Sequence, residues 1–235
     1  MPLQTLAPNR LYRQIADQVR ALIGSGEFAA HARLPAERDL ARQLGVSRPS
    51  VREALIALEV EGWVEVRTGS GVYVRGRRGR EPAPADSAEW GPLELIRARR
   101  VVEGETAALA ATLGKRKDLQ AISRAIESMR ADAGREQPPL EGDRAFHLAV
   151  VDACGNIVLR ETVQAFWESR RGPIFSRLGG YFETVDSWRA AIAEHESIRD
   201  AIAAHDSDGA RRAMHRHLDR SHRRFSASWR RARTA

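Results

Sequence analysis

Residues 33–74 read RLPAERDLARQLGVSRPSVREALIALEVEGWVEVRTGSGVYV. Leu40, Leu44, Val46, Val51, Leu55 and Leu58 recur at helical spacing on either side of Gly45, which predicts two helices joined by a tight turn. Glu37 and Asp39 fall in the first turn of the earlier helix, where the dipole favours acidic side chains. Ser47 is a good N-cap for the later helix. Pro49 is tolerated in a first turn because its missing N–H has no partner there. Gly62 closes that helix, and Trp63–Arg67 and Val72–Val74 alternate as strands around the hairpin loop Thr68-Gly69-Ser70-Gly71. A preceding helix is carried by Leu11, Ile15, Val19, Leu22 and Ile23, with Gly24 and Gly26 as stop signals. This order is a winged helix-turn-helix. Its core needs the apolar set and leaves Arg38, Arg48 and Arg52 facing outward.

Working outward, 235 residues at 43% hydrophobic content suffice for two globular domains. Residues 76–92 hold three prolines and three glycines with almost no apolar periodicity, and they divide the chain. The expected organisation is a winged helix-turn-helix over 1–76, a linker over 77–91 and a second domain over 92–235. Nearly every segment of that second domain reads as helix, from Leu95-Arg99-Val102 to Ala210-Met214-Leu218-Phe225, with no helical pattern assigned between Trp167 and Trp188. The fold class is therefore mainly α, with an all-α C-terminal bundle of six or seven helices. The lone Cys154 excludes an intrachain disulfide framework, no apolar run reaches the roughly 18 residues of a membrane span, and Met1–Thr5 lacks a secretory signal. The expected compartment is the cytoplasm, with no membrane partner.

Charge is unevenly spread: residues 1–80 carry +5, 81–210 carry −6 and 211–235 carry +8. A basic first module beside an acidic middle suits docking of the first module alone on phosphates. The basic tail, with Arg211, Arg212, Arg216, Arg220, Arg223 and Arg224, reads as a solvated helix face ahead of a nucleic-acid contact. On the third helix Arg48 and Arg52 are four residues apart and share a face. Its N-terminal half would enter the major groove, where arginine grips guanine O6 and N7 with both arms, and Ser47 and Ser50 can donate to phosphates or base edges. Arg38 would lie near the backbone, and Gly69 and Gly71 would let the wing approach closely.

These segments, Leu34-Pro35-Ala36-Glu37-Arg38-Asp39-Leu40-Ala41, Gly45 to Leu55 and Leu58 to Trp63, resemble the GntR family of bacterial transcription regulators over residues 10–76. The resemblance implies operator contacts from Arg38, Arg48, Ser50, Arg52, Thr68 and Gly69. It also implies palindromic double-stranded operator DNA read by a homodimer.

In the second domain, Asp143 and His147 are four residues apart and share a helix face. His195 sits three residues from both Ile192 and Ile198, which points it inward. His217 follows on a helix that turns back if Asp206-Ser207-Asp208-Gly209 is tight. Three imidazoles and a carboxylate suit zinc first among divalent transition metals, with nickel, manganese and iron as the others. Taken singly, each histidine reads as a hydrogen-bonded core residue. As a set they resemble the metal-binding version of the FadR-type C-terminal (FCD) domain of GntR regulators, over residues 92–225. That resemblance also takes in Arg97–Glu103 and Asn156, and it implies a small carboxylate effector held by the metal, with Arg99 paired to it. Arg170 and Trp167 are candidates for the rest of the effector, although Trp167 reads equally as core. Segments such as Glu89–Arg99 and Phe166–Arg170 are similar to regulators of hexuronate catabolism, which implies a sugar acid.

The expected function is a ligand-responsive repressor with no catalytic residues. One rival reading is a regulator with a purely structural metal and a different organic-acid effector, and a more distant one is a metal-dependent hydrolase fused to a DNA reader. Four protein ligands leave that chemistry little room, and neither a His-Glu-x-x-His motif nor a placed general base accompanies them.

Overall fold

The computed structural model describes residues 10–76 and 90–227. The expected linker, 77–91, lies outside them except for Trp90 and Gly91. In chain order the elements are α1 (Leu11–Gly24), α2 (Glu37–Leu44), α3 (Arg48–Val60), β1 (Val64–Arg67), β2 (Gly71–Val74) and α4 (Pro92–Leu113). They continue as α5 (Arg116–Gly134), α6 (Leu140–Asp152), α7 (Ile157–Arg170), α8 (Pro173–Phe182), α9 (Val185–Ala203) and α10 (Ser207–Phe225). Among the described residues no helix is long and apolar enough to cross a membrane.

The chain divides into two compact units, both discontinuous in sequence: Gly172–Tyr181 groups with residues up to Pro92, whereas Leu93–Arg171 and Phe182–Ser226 form the other. The first change of unit falls near the expected boundary at residue 91, and α8 as far as Tyr181 groups with the first unit. Its attachment is polar. Glu59 of α3 accepts from Tyr181 Oη at 2.8 Å, from Arg177 Nε and Nη2 at 2.9 Å each, and from the Val66 N–H of β1 at 3.0 Å. A buried carboxylate needs such partners, and here they come from two separate elements, α8 and β1.

The first unit is the winged helix-turn-helix. Gly45 takes the left-handed conformation (φ 64°) that ends α2, and Ser47 opens α3 by accepting from the Ser50 N–H at 3.2 Å. Leu40, Val51, Leu55 and Leu58 are buried with Ile15 and Val19 of α1 and with Val64, Val66, Val72 and Val74 of the hairpin. β1 and β2 pair antiparallel from Val64↔Val74 to Arg67↔Gly71, so Thr68–Ser70 form the tip and Gly69 has φ 76°. The segment before α2 joins the wing through an isolated bridge between Arg33 and Tyr73: Val72 O accepts from the Leu34 N–H and Val74 O from the His31 N–H.

The second unit is an all-α bundle of α4, α5, α6, α7, α9 and α10 around Ile122, Phe146, Val150, Trp167, Ile198, Met214 and Leu218. Thr184 and Ser187 cap α9 reciprocally, and Asp206 caps α10 through the Gly209 N–H, so these two long helices meet at a short turn. α6 approaches α5 closely at Gly142, where a Cβ would stand 2.9 Å from the Met129 backbone nitrogen. Asp143 is the next residue. Cys154 is buried and its thiol donates to the Thr106 carbonyl at 2.9 Å, while burial pushes its pKa up to about 12. The native protein is therefore expected to resist iodoacetamide at pH 8, at least about a hundredfold more slowly than an exposed thiol. Mass spectrometry of native against denatured protein measures this, and rapid native labelling would contradict the packing.

Candidate functional site

Four side chains from three helices converge in the second unit. Asp143 and His147 come from one face of α6, His195 from α9 and His217 from α10, and one ligand atom from each lies within 4.8 Å of all the others. The expected set is thus brought together. His147 Nε2 and His195 Nε2 are 3.3 Å apart, and Asp143 Oδ1 is 3.3 Å from His195 Nε2 and 3.5 Å from His147 Nε2. Donor atoms about 2.0–2.2 Å from one ion in a tetrahedral arrangement stand about 3.3–3.6 Å from each other. The donor spacing and chemistry fit a divalent transition metal.

The surroundings set which ring nitrogen faces inward. His217 Nδ1 donates to Glu194 Oε2 at 2.9 Å, and Glu194 is in turn held by Arg220 at 3.0 Å. His147 Nδ1 lies against the Glu103 carboxylate, which also accepts from Arg99 Nε at 2.6 Å. Each of these carboxylates claims the Nδ1 proton and leaves the Nε2 lone pair for the centre, the arrangement that orients metal-bound histidines. Burial lowers the pKa of His217 to about 3, with His195 adding to the effect against Glu194, and burial also lowers that of His195 despite Asp143. Both rings are neutral near pH 7. Burial would raise the Asp143 carboxyl, but Arg170 and the two histidines hold it well below its ordinary value. Glu103 is likewise held low by Arg99 and His147 against its burial.

A cleft adjoins this cluster. Of the expected effector residues, Arg99 and Arg170 line it. Both already hold carboxylates: Arg99 pairs with Glu103, and Arg170 with Asp143 at 2.6 Å and Glu183 at 3.7 Å. Trp167 is buried, and the Arg99 and Arg170 guanidinium groups each lie over its ring at 4.6 Å. Asn156 is used differently from the expectation. It caps α7, accepting from the Val158 and Leu159 N–H groups at 3.0 and 3.2 Å, and it does not line the cleft. Sequence reasoning missed Glu183, Trp188, Ser221 and Arg224, which do. The signal was present in Trp188, Ser221 and Arg224, which follow the helical spacing of His195 and His217. His205 bonds the Ala111 carbonyl and His215 covers Gly104, so neither joins the cluster.

In the first unit, Arg38 at the start of α2 and Arg48 at the start of α3 are exposed, with side-chain exposures of 72% and 52%. Ser47 and Ser50 share a hydrogen bond at 2.8 Å at the same helix start, and Thr68 and Gly69 stand at the wing tip. Arg52 corrects the expectation that it faces outward. It is 1% exposed, and its Nε and Nη2 hold both oxygens of buried Glu37 at 2.8 and 2.6 Å.

Residues 11–74 match the model for bacterial regulatory proteins of the gntR family, and residues 94–220 match the FCD domain. The Exu regulon transcriptional regulator of Escherichia coli (strain K12) is 35% identical over 224 residues, which cover 92% of this chain and 85% of that protein. The Uxu operon transcriptional regulator of the same strain is 32% identical over 217 residues, 89% of this chain and 84% of that one. A third relative from that strain, named as a candidate regulatory protein of the L-lactate dehydrogenase operon, is 35% identical over 228 residues, 92% of this chain and 86% of its own length.

Proposed function

Because this chain belongs to the GntR family of bacterial regulatory proteins and carries an FCD domain, we propose that it is a repressor switched by a small carboxylate at a metal centre. Two copies read a palindromic double-stranded operator through Arg38, Ser47, Arg48, Ser50 and the wing residues Thr68 and Gly69. Asp143, His147, His195 and His217 hold a divalent transition metal, zinc first, and the bound metal supplies a Lewis-acidic site for the effector's carboxylate. The observation that carries this reading is the convergence of four donors beside a cleft lined by Arg99 and Arg170. Arginine's fork geometry favours a carboxylate ligand. Arg170 orients Asp143 and keeps it ionised. The hexuronates come first as effectors on the strength of the resemblance and of relatives named for the Exu regulon and the Uxu operon. L-Lactate is the second reading, favoured by the third relative's name.

Sites selected from random double-stranded DNA are expected to be palindromic. A gel shift on such a site with fructuronate, glucuronate, galacturonate, tagaturonate and L-lactate then tests the effector. One hexuronate should change operator affinity by about 5- to 150-fold, the usual range of allosteric coupling. A response to L-lactate alone would move the effector to the second reading, and no response to any acid would remove the carboxylate. In the same assay Arg48→Ala should cost about 1–3 kcal/mol of operator affinity. An unchanged shift would take Arg48 out of the reading surface.

A further inference from the structure

The cleft has a second polar end. On α9, Trp188, Ile192 and His195 follow each other at four and three residues, and on α10 His217, Ser221 and Arg224 do the same. All six line the cleft. Because the helices run antiparallel from a short turn, both Trp188 and Arg224 lie seven residues, about 10 Å along the axes, from the imidazoles and at the same end. A hydrogen bond of 3.0 Å from Arg224 Nη1 to the Ser187 carbonyl closes that end. Trp188 is 9% exposed, yet its indole Nε1 is buried without a hydrogen-bond partner among the described residues, and so is Arg224 Nε. Both groups are donors only. Two buried donors without an acceptor are costly in a folded protein unless something with lone pairs meets them.

We infer that Trp188 and Arg224 form a second subsite, which binds the terminal oxygen of an extended polyoxygenated acid whose carboxylate sits at the metal end. This rests on the carboxylate reading above and narrows it. Ile192, between Trp188 and His195 on α9, and the other apolar lining residues Met129 and Leu140 suit the C–H faces of a sugar chain. A six-carbon acid reaches from one end to the other. A three-carbon hydroxy acid fills only the metal end and leaves both donors unmet. The subsite therefore favours length and a terminal acceptor, and Trp188 and Arg224 act as specificity-determining residues.

The test uses the metal-loaded full chain, with fructuronate and glucuronate as long probes and L-lactate as the short one. Calorimetry measures each acid and chelator competition measures the metal. Trp188→Phe keeps the ring and deletes the donor, and Arg224→Lys keeps the charge and deletes Nε. Each variant should weaken the preferred hexuronate about tenfold, the scale of one hydrogen bond. Metal affinity, and any L-lactate affinity, should stay within about twofold of wild type. Hexuronate binding that matches wild type in both variants would overturn the subsite, as would a parallel loss of metal, which marks a structural role. If the wild-type chain binds neither hexuronate, the effector reading itself falls and takes the subsite with it.

Discussion

Glu37→Ala is expected to destabilise the winged helix-turn-helix by about 3–5 kcal/mol, because it takes from the buried guanidinium of Arg52 the carboxylate that meets both its Nε and its Nη2. Arg52 is among the largest fully buried side chains of the chain, and both Glu37 oxygens are spent on it. A marginally stable domain loses a large share of its stability to such a change. Hydrogen exchange at α2 and α3 in the full chain, with denaturant unfolding alongside, measures the loss. Replacing the pair together, Glu37→Met with Arg52→Leu, removes both charges and should recover most of the stability. That double variant also separates two roles for Arg52. If it folds and still binds operator, Arg52 only ties α3 to α2. If it folds and loses the operator, the buried pair opens on DNA and Arg52 reads it. A Glu37→Ala variant as stable as wild type would contradict the ion pair.

The same pair shows where the sequence was legible and where it was not. Gly45, Ser47, Pro49 and the glycines of the wing act on their own neighbours, so the turn, the cap and the hairpin could all be read from short segments. Arg52 could not. It stands about 60° around the helix from Leu55, at the edge of the core stripe, and periodicity alone does not say whether a long side chain there turns to water or folds back. That choice is made by Glu37 on another helix, whose place in a first turn had an adequate local explanation. α8 was hidden for a different reason. Ile174, Phe175, Leu178, Tyr181 and Phe182 are all buried, but Pro173 and the Gly179-Gly180 pair break up a helical pattern only ten residues long. Nor does local sequence show that such a segment packs on Glu59, more than a hundred residues earlier.

The histidine cluster lies between these cases. Asp143 and His147 share a face by spacing alone, and His195 was directed inward by its isoleucine neighbours. His217 needed the tight turn at Asp206–Gly209, which the Asp206 cap supplies. The carboxylates behind the rings stayed out of sight, because Glu103 and Glu194 look like ordinary helix-surface glutamates until their partners are in place. Asn156 carries a second use that its residue type alone does not announce: it satisfies two helix N–H groups.

Those carboxylates lead to the second large effect. His217→Ala is expected to weaken metal binding by more than about a hundredfold, since about 10–16 kcal/mol for a four-ligand zinc site is roughly 3 kcal/mol per ligand. Glu194→Gln should cost less, about 10- to 100-fold, because the ring remains and only its orientation and tautomer are released. Glu103 sits in the equivalent position behind His147 but is a poorer test. Its loss would also strand Arg99, which is 2% exposed, whereas Arg220 behind Glu194 has a side-chain exposure of 56% and can turn to water. Glu103→Gln should therefore lower the thermal midpoint of the metal-free protein as well as its metal affinity, and Glu194→Gln chiefly the affinity. Chelator competition on the three variants, with melting curves of the stripped proteins, gives the order. Full metal affinity in His217→Ala would remove that ring from the centre. Wild-type affinity in Glu194→Gln would mean that its hydrogen bond does not set which nitrogen faces inward.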